Sequence, residues 1–373
     1  MFLKKALLMF SALGLLLPAC STISTPPTTV PTPSEVTLIR GPYLQSVTPS
    51  SVIVAWETDY ASTGTVAYGE TDALSQSADD PQIDSRHAIT LTGLSPYTEY
   101  HYQVLWEDDP LSDVYTFRTA APLDHTSFTF VAFGDTRTQD RRHQDVVDLI
   151  LTLEPDFVIN TGDLVAHGHS SREWTTFFEI EQELLARSPL FSTMGNHEAN
   201  NPLYREIFYL PGNERWYSFD YGHAHFVCVH ADGLGGRGPD DEQIDWLEAD
   251  LAATEQPWKL VFFHVPPFSS RDEEEREVQV RQALVPTLID QGVQVVFNGH
   301  DHNYQRAMVD GITYVVTGGG GAPLYTIDEP SPELISYAAE YHAVLVTLDG
   351  HTLTSVAISA AGEELDRFTL ELP

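Results

Sequence analysis

The stretch "VQVVFNGHDHNYQR", residues 293–306, decides how the rest of the chain is read. Val293 to Phe297 is a mostly apolar, β-branched run that predicts a buried strand. It stops at Gly299, and two imidazoles, His300 and His302, follow on either side of an aspartate. A strand that ends by presenting two histidines one residue apart has reached an edge where chemistry is done. Glycine permits a sharp turn there, and a turn can aim the two rings differently.

Four other runs end in the same way. "FTFVAFGD" stops at Asp135 and "PDFVINTGD" at Asp163. "PLFSTMGNHE" delivers Asn196 and His197, and "WKLVFFH" delivers His264. Helix-like segments fall between the runs, at 140–154, 171–186, 240–253 and 276–291. Strand then helix, repeated, predicts α/β layers. Ligands of open α/β sheets gather outside the carboxyl ends of the strands. If the five strands lie side by side and parallel, their loops open on one edge. The side chains gathered there are two aspartates, an asparagine and three histidines. Such an oxygen and imidazole set, without thiolate, suits Zn, Mn or Fe. Six protein ligands are too many for one open catalytic ion, whereas two ions sharing a carboxylate can clamp an in-line displacement.

Residues 36–119 have a different texture. "SVIVAWET", "TGTVAYGE", "TEYHYQVLW" and "DVYTFRT" are short, β-prone and separated by turn signals, which predicts an antiparallel sandwich with Trp56 in its core. "GLSPYTEYHYQV", residues 93–104, resembles the late strand and corner of a fibronectin type III module. No cluster of ligand-type residues occurs here, so a structural or positioning role is expected. Residues 119–127 read as a short connection, and past residue 311 the chain returns to strands.

The first twenty residues read as an export signal. Lys4 and Lys5 precede an apolar run from Ala6 to Leu17 that is short for a membrane span, and "LPAC" resembles a bacterial lipobox ending at Cys20. That resemblance implies a lipid anchor at Cys20, and a plain signal is the alternative. Residues 21–35 are rich in Thr, Pro and Ser and predict an extended tether. Only Cys228 follows Cys20, so no internal disulfide forms after cleavage, and "HFVCVHA" predicts a buried thiol.

The chain has 373 residues with 19 basic and 54 acidic side chains, a formal net charge of −35. Such a surface repels nucleic acid and anionic lipid. An anionic substrate would need a local reversal of that field, which two metal ions against two aspartates supply.

The ordered set GD, GD, GNHE, H, GHDH resembles that of a calcineurin-like metallophosphoesterase, over residues 126–373. With the sandwich in front and "GHDHNYQR" near the end, the chain is similar to the purple acid phosphatase branch. The resemblance implies a four-layer αββα sandwich with two mixed sheets between helices. It implies that Asp163 bridges two metal ions, with Asp135 and His302 on the first and Asn196, His264 and His300 on the second. It places His197 beside the scissile phosphate as general acid, held by Glu198. The nucleophile implied is a hydroxide bridging the ions. The expected activity is phosphomonoester hydrolysis outside the cytoplasm, on a small-molecule phosphate ester. A phosphodiesterase on the same site, or a surface module that binds metal or phosphate without turnover, are the alternatives.

Two positions depart from the pattern. Arg137 stands where the wider family often has histidine, and Ala166 stands where the purple branch has the tyrosine that colours it. The first ion therefore lacks a familiar ligand, which His167, His169 or a water could replace. Arg137 is expected to grip phosphate bidentately. His143 is expected on an exposed helix face, and "RDEEERE" (271–277) as a solvated helix start. "GLGGRGPDDEQ" (233–243) reads as a mobile loop. His223, His225 and His230 are expected in packing roles, Asn303 and Tyr304 near the pocket, and "GGGG" (318–321) as a tight turn.

Overall fold

The computed structural model describes residues 35–232, 238–270 and 275–373. The export signal, Cys20, most of the tether and part of the two loops at 233–243 and 271–277 lie outside the described residues.

The first strands are β1 (Leu38–Thr48), β2 (Ser51–Gly69), β3 (Gln76–Thr92), β4 (Glu99–Trp106), β5 (Asp109–Pro110) and β6 (Tyr115–Arg118). β2 and β3 form one long hairpin whose register shifts between Glu57 and Gly64. Before the shift β2 pairs with β1, and after it with β4. The hairpin therefore bends from one layer of the sandwich into the other. Period-two burial fills the space between them, with Val54, Trp56, Val66 and Tyr102 at most 1% exposed.

Directed polar bonds seat this all-β part on the α/β part. Arg40 is buried, pairs with Glu57 at 2.7 Å and donates to the Ser171 carbonyl at 3.1 Å. The Tyr43 hydroxyl donates to the Ile207 carbonyl at 2.6 Å, and the Tyr102 hydroxyl to the Ala186 carbonyl at 2.7 Å.

The α/β part begins with β7 (Ser127–Phe133), α1 (Asp140–Leu153), β8 (Phe157–Asn160), α2 (Ser171–Leu185), β9 (Leu190–Ser192) and α3 (Pro202–Ile207). Next come β10 (Tyr217–Tyr221), β11 (Ala224–Cys228), α4 (Asp241–Ala253), β12 (Trp258–Phe262), α5 (Glu275–Asp290) and β13 (Val295–Asn298). The chain closes with β14 (Tyr304–Val309), β15 (Ile312–Thr317), β16 (Leu334–Ala338), β17 (His342–Asp349), β18 (Thr352–Ser359) and β19 (Glu364–Glu371).

Two mixed sheets result. One has the order β19-β18-β17-β7-β8-β9 and the other β10-β11-β12-β13-β15-β14-β16. The five ligand-tipped strands therefore do not lie side by side. β7, β8 and β9 are parallel neighbours in the first sheet, and β12 and β13 are parallel neighbours in the second.

Side-chain alternation accounts for the layering. Leu260, Phe262, Val295 and Phe297 face the first sheet, where Phe130 meets Phe226 and Phe297 edge-on at 5.2 and 5.8 Å. Their neighbours Val261, Phe263 and Val296 point the other way, onto Leu247 and Leu251 of α4 and Leu284 and Leu288 of α5. α1 and α2 cover the outer face of the first sheet with Val146, Ile150 and Phe177. The order of layers is helix, sheet, sheet, helix.

Candidate metal centre

Backbone conformation brings the donors to the rim. Asp135, Asp163 and His300 have φ of 56°, 54° and 70°. This left-handed region is uncommon for residues other than glycine and costs free energy, so it persists where the surroundings enforce it. A Cβ at Gly195 would strike the Asp163 carboxylate, and one at Gly299 would strike Asp135 Oδ2. Glycine before a ligand here means room for another ligand.

The Glu198 carboxylate knots two of the first sheet's loops together, those after β8 and β9. It accepts from the amides of Asp163 at 3.0 Å, Val165 at 3.2 Å and Gly195 at 2.7 Å. Burial, and then the nearby Asp163, push its pKa up to about 7. Glu198 was expected to hold His197, and it does not. His197 Nδ1 instead donates to the Ala166 carbonyl at 2.8 Å, which leaves Nε2 3.8 Å from Asp163 Oδ2.

The second sheet's imidazoles are aimed by backbone carbonyls. His264 Nδ1 donates to the Thr161 carbonyl at 2.9 Å, and His302 Nδ1 to the Pro323 carbonyl at 2.7 Å. A carbonyl only accepts, so each Nδ1 carries hydrogen and each Nε2 is turned toward the rim. Tyr325 stacks on His302 with centroids 4.2 Å apart. Nothing in the sequence pointed to Thr161, Pro323 or Tyr325.

All the expected ligands meet. His264 Nε2 lies 3.3 Å from both Asp163 Oδ1 and Asn196 Oδ1, and His300 Nδ1 lies 3.1 Å from Asn196 Oδ1. His302 Nε2 is 3.5 Å from Asp135 Oδ1, and the His300 amide donates to Asp135 Oδ2 at 2.9 Å. Donor atoms of Asp135, Asp163 and His264 all fall within 4.8 Å of one another. Two oxygen acceptors face His264 Nε2, a grouping that is repulsive unless a proton or a metal ion sits among them. Burial alone would lower the His264 pKa, but Asp163 and its hydrogen bond raise it to about 10. Burial raises the Asp135 carboxyl well above the usual range, and Asp135 Oδ1 is buried without a hydrogen-bond donor. Buried, unpaired acceptors of this kind fit cation binding.

The calcineurin-like phosphoesterase profile matches residues 128–304, and the purple acid phosphatase N-terminal profile matches 40–119. The chain carries a calcineurin-like metallophosphoesterase domain behind a purple acid phosphatase N-terminal domain.

Purple acid phosphatase 15 of Arabidopsis thaliana is 28% identical over 289 residues, which are 63% of this chain and 53% of that protein. Probable purple acid phosphatase 20 of the same plant is 24% identical over 350 residues, 82% of this chain and 80% of that one. The purple acid phosphatase PPD1 from seeds of yellow lupin (Lupinus luteus) shares the fold with a TM-score of 0.78 at 21% identity, covering 89% of this chain and 74% of that one. The chain spans about half the length of the first curated relatives it matches, 53% and 52%.

Two residues, His143 and Glu277, stand elsewhere than the sequence suggested. His143 is buried, not exposed, and bonds Glu181 of α2 at 2.7 Å, because α2 packs over the face of α1 that carries it. Glu277 is buried, unlike a solvated helix start, because α5 turns it inward toward His300 and Asp301. His167 and His169 are exposed, and His167 bonds Glu173 at 2.8 Å. Tyr304 lies between the sheets, its hydroxyl on Asp366 at 2.7 Å, and Asn303 donates to the Tyr325 carbonyl at 3.3 Å. The 318–321 run packs on the site as a turn, with the Gly318 amide on the Asn303 carbonyl at 3.2 Å and the Gly320 amide on that of Gly134 at 2.9 Å. His223 and His225 bond Gly350 and two aspartates, away from the donors, and His230 is buried beside Arg215. Cys228 is buried, and its thiol pKa is pushed up to about 12 by that burial.

Arg137 does reach the centre. Its Nε lies 3.3 Å from Asp163 Oδ2 and its Nη2 3.2 Å from His302 Nε2. Asp232 escaped notice in the sequence. It follows β11, one strand over from His264, and is buried with Arg276 at 3.6 Å. The signal was there, since "HFVCVHAD" is another apolar run tipped with an acid.

Proposed function

We propose that this chain is a dinuclear-metal phosphomonoesterase. The reading rests on one observation: six oxygen and imidazole donors from five separate loops meet at one rim with their acceptor atoms facing each other. Asp163 lies between the two ends of the cluster and would hold both ions. Asp135 and His302 would hold the first, and Asn196, His264 and His300 the second. Ions held there act as Lewis acids on a phosphoryl oxygen and lower the pKa of bound water.

The chain's own groups supply the rest. Arg137, with two nitrogens turned toward the cluster, neutralises oxygens of the transferring phosphoryl group. His197 is fixed by the Ala166 carbonyl and is 31% exposed, so its Nε2 is open to the substrate side. From there it delivers a proton to the leaving alcohol. Asn196 is bonded to two imidazoles and adds no charge.

The named relatives are phosphatases, which favours the monoester over the diester. Elemental analysis of purified protein, with hydrolysis of an aryl phosphate and a bis-aryl phosphate under metal titration, tests this. Two metal equivalents and faster monoester turnover are expected. Faster diester turnover would reassign the substrate, and no turnover at any metal loading would leave a binding module. Export with a lipid at Cys20 belongs to the same proposal, and the mass of the mature N-terminal peptide tests it. No helix among the described residues is long and apolar enough to cross a membrane.

A further inference from the structure

A cleft of about 450 Å³ opens beside the centre, between the start of α1 and the outer side of α2. It is continuous with the site through Arg137 and Ala166, which line it. Arg137 bonds Asp163 and His302, and the Ala166 carbonyl fixes His197. Position 166 carries only a methyl group, so the passage from centre to cleft is not narrowed by a large side chain. Phe177 and Ile180 form an apolar wall, and the buried His143, braced by Glu181, closes another.

The charges around this cleft are unlike the rest of the molecule. The chain carries 54 acidic against 19 basic side chains, yet two arginines and only two acids line the cleft. One acid, Glu173, is engaged by the amide and ring of His167, both at 2.8 Å. The other, Asp140, sits in the first turn of α1, where a negative charge offsets the helix dipole. At the rim stands Arg172, exposed on the first turn of α2. It is the one arginine among the described residues with neither a hydrogen bond nor an ion pair. In so acidic a protein, an unpartnered guanidinium beside an anion site is open to an anion.

We propose that the cleft is the leaving-group subsite and that Arg172 binds a second anionic group, carboxylate or phosphate, on the substrate. The preferred ester then has two anionic ends. The scissile phosphate lies at Arg137, the carbon skeleton lies against Phe177 and Ile180, and the far anion lies at Arg172. This rests on the phosphoesterase reading for its biological sense, but the subsite can be tested without turnover.

The test is calorimetric binding to the metal-loaded protein of matched, non-hydrolysable pairs. These are 3-phosphonopropionate against propylphosphonate and 6-phosphonohexanoate against hexylphosphonate. A charge-assisted contact at a partly exposed site predicts that at least one carboxylated member binds roughly fivefold tighter than its alkyl partner. Arg172→Ala should erase that preference and Arg172→Glu should reverse it, with metal content equal to wild type. Equal affinities within both pairs, no phosphonate binding, or a preference that survives Arg172→Glu overturns the proposal. Aryl phosphate hydrolysis by the same preparation is the separate readout for the phosphoesterase reading. Its absence with the carboxylate preference intact would sink that reading and leave the subsite standing.

Discussion

The two sheets contribute unlike halves to one centre. The first sheet supplies Asp135, Asp163 and Asn196, all oxygen donors, two of them charged. Asp135 and Asp163 sit in left-handed turns, and the loops of Asp163 and Asn196 are tied by amides to Glu198. The second sheet supplies only imidazoles, two of them steered by carbonyl oxygens. The halves also hold each other. The Thr161 carbonyl of the first orients His264 of the second, and Asp135 of the first accepts the His300 amide of the second. Charge is therefore concentrated on one side and neutral directional donors on the other. Losses on the two sides should differ in kind.

The largest expected effect comes from Asp163→Asn, which removes a charge from the position between both ends of the cluster. Turnover should fall to background and both metals should be depleted by elemental analysis. His302→Ala removes one neutral donor, and the protein should keep more of its metal. Equal depletion in the two variants would break the asymmetry. Next is His197→Ala, which touches neither half's donors. It should lower turnover by about 10²–10⁴ with metal content retained, and most for esters of poor leaving groups. Wild-type hydrolysis of an activated aryl phosphate would reduce His197 to a spectator. Arg137→Ala should cost about 10–100-fold in kcat/KM, the loss of a charge-assisted hydrogen bond to phosphate. Arg137→Lys should restore only part, because an ammonium cannot make the paired contact.

The convergence of these six side chains was legible because each ends an apolar run, and strand ends are where open sheets place their sites. Which sheet each strand joins was not. "WKLVFFH" and "FTFVAFGD" have the same texture, because both are buried on two faces and neither shows alternation. Only the pairing partners, β13 for one and β8 for the other, tell them apart. Carbonyl orienters such as Thr161 and Pro323 are invisible in sequence, since every residue has a carbonyl. His143 misled for another reason. "DRRHQDVVDLI" is charged around the histidine and reads as exposed, but the helix turns that one position toward Glu181.

The smallest expected effect concerns a histidine outside the centre. His225 on β11 is buried in the second sheet like His264, but its partners are carboxylates and no carbonyl fixes its tautomer. Its Nδ1 lies 2.7 Å from Asp220 and its Nε2 2.9 Å from Asp250. Burial alone would lower its pKa, but the hydrogen bonds to Asp220 and Asp250 raise it to about 9. Both ring nitrogens are then donors, so His225 is a cation held by two carboxylates, whereas His264 and His302 each give Nδ1 to a carbonyl and turn Nε2 toward the rim. A folded pKa above the unfolded value stabilises the fold fully below about 6.5, and that contribution is lost as pH rises through about 9. His225→Gln should therefore be less stable than wild type at pH 6, by on the order of 2 kcal/mol in urea unfolding, and the gap should close by pH 10. The difference between the two proteins is the readout, because other groups titrate over the same range in both. A gap that stays constant across that range would show the ring to be neutral, and the contrast between carboxylate-paired and carbonyl-paired imidazoles would lose its physical basis.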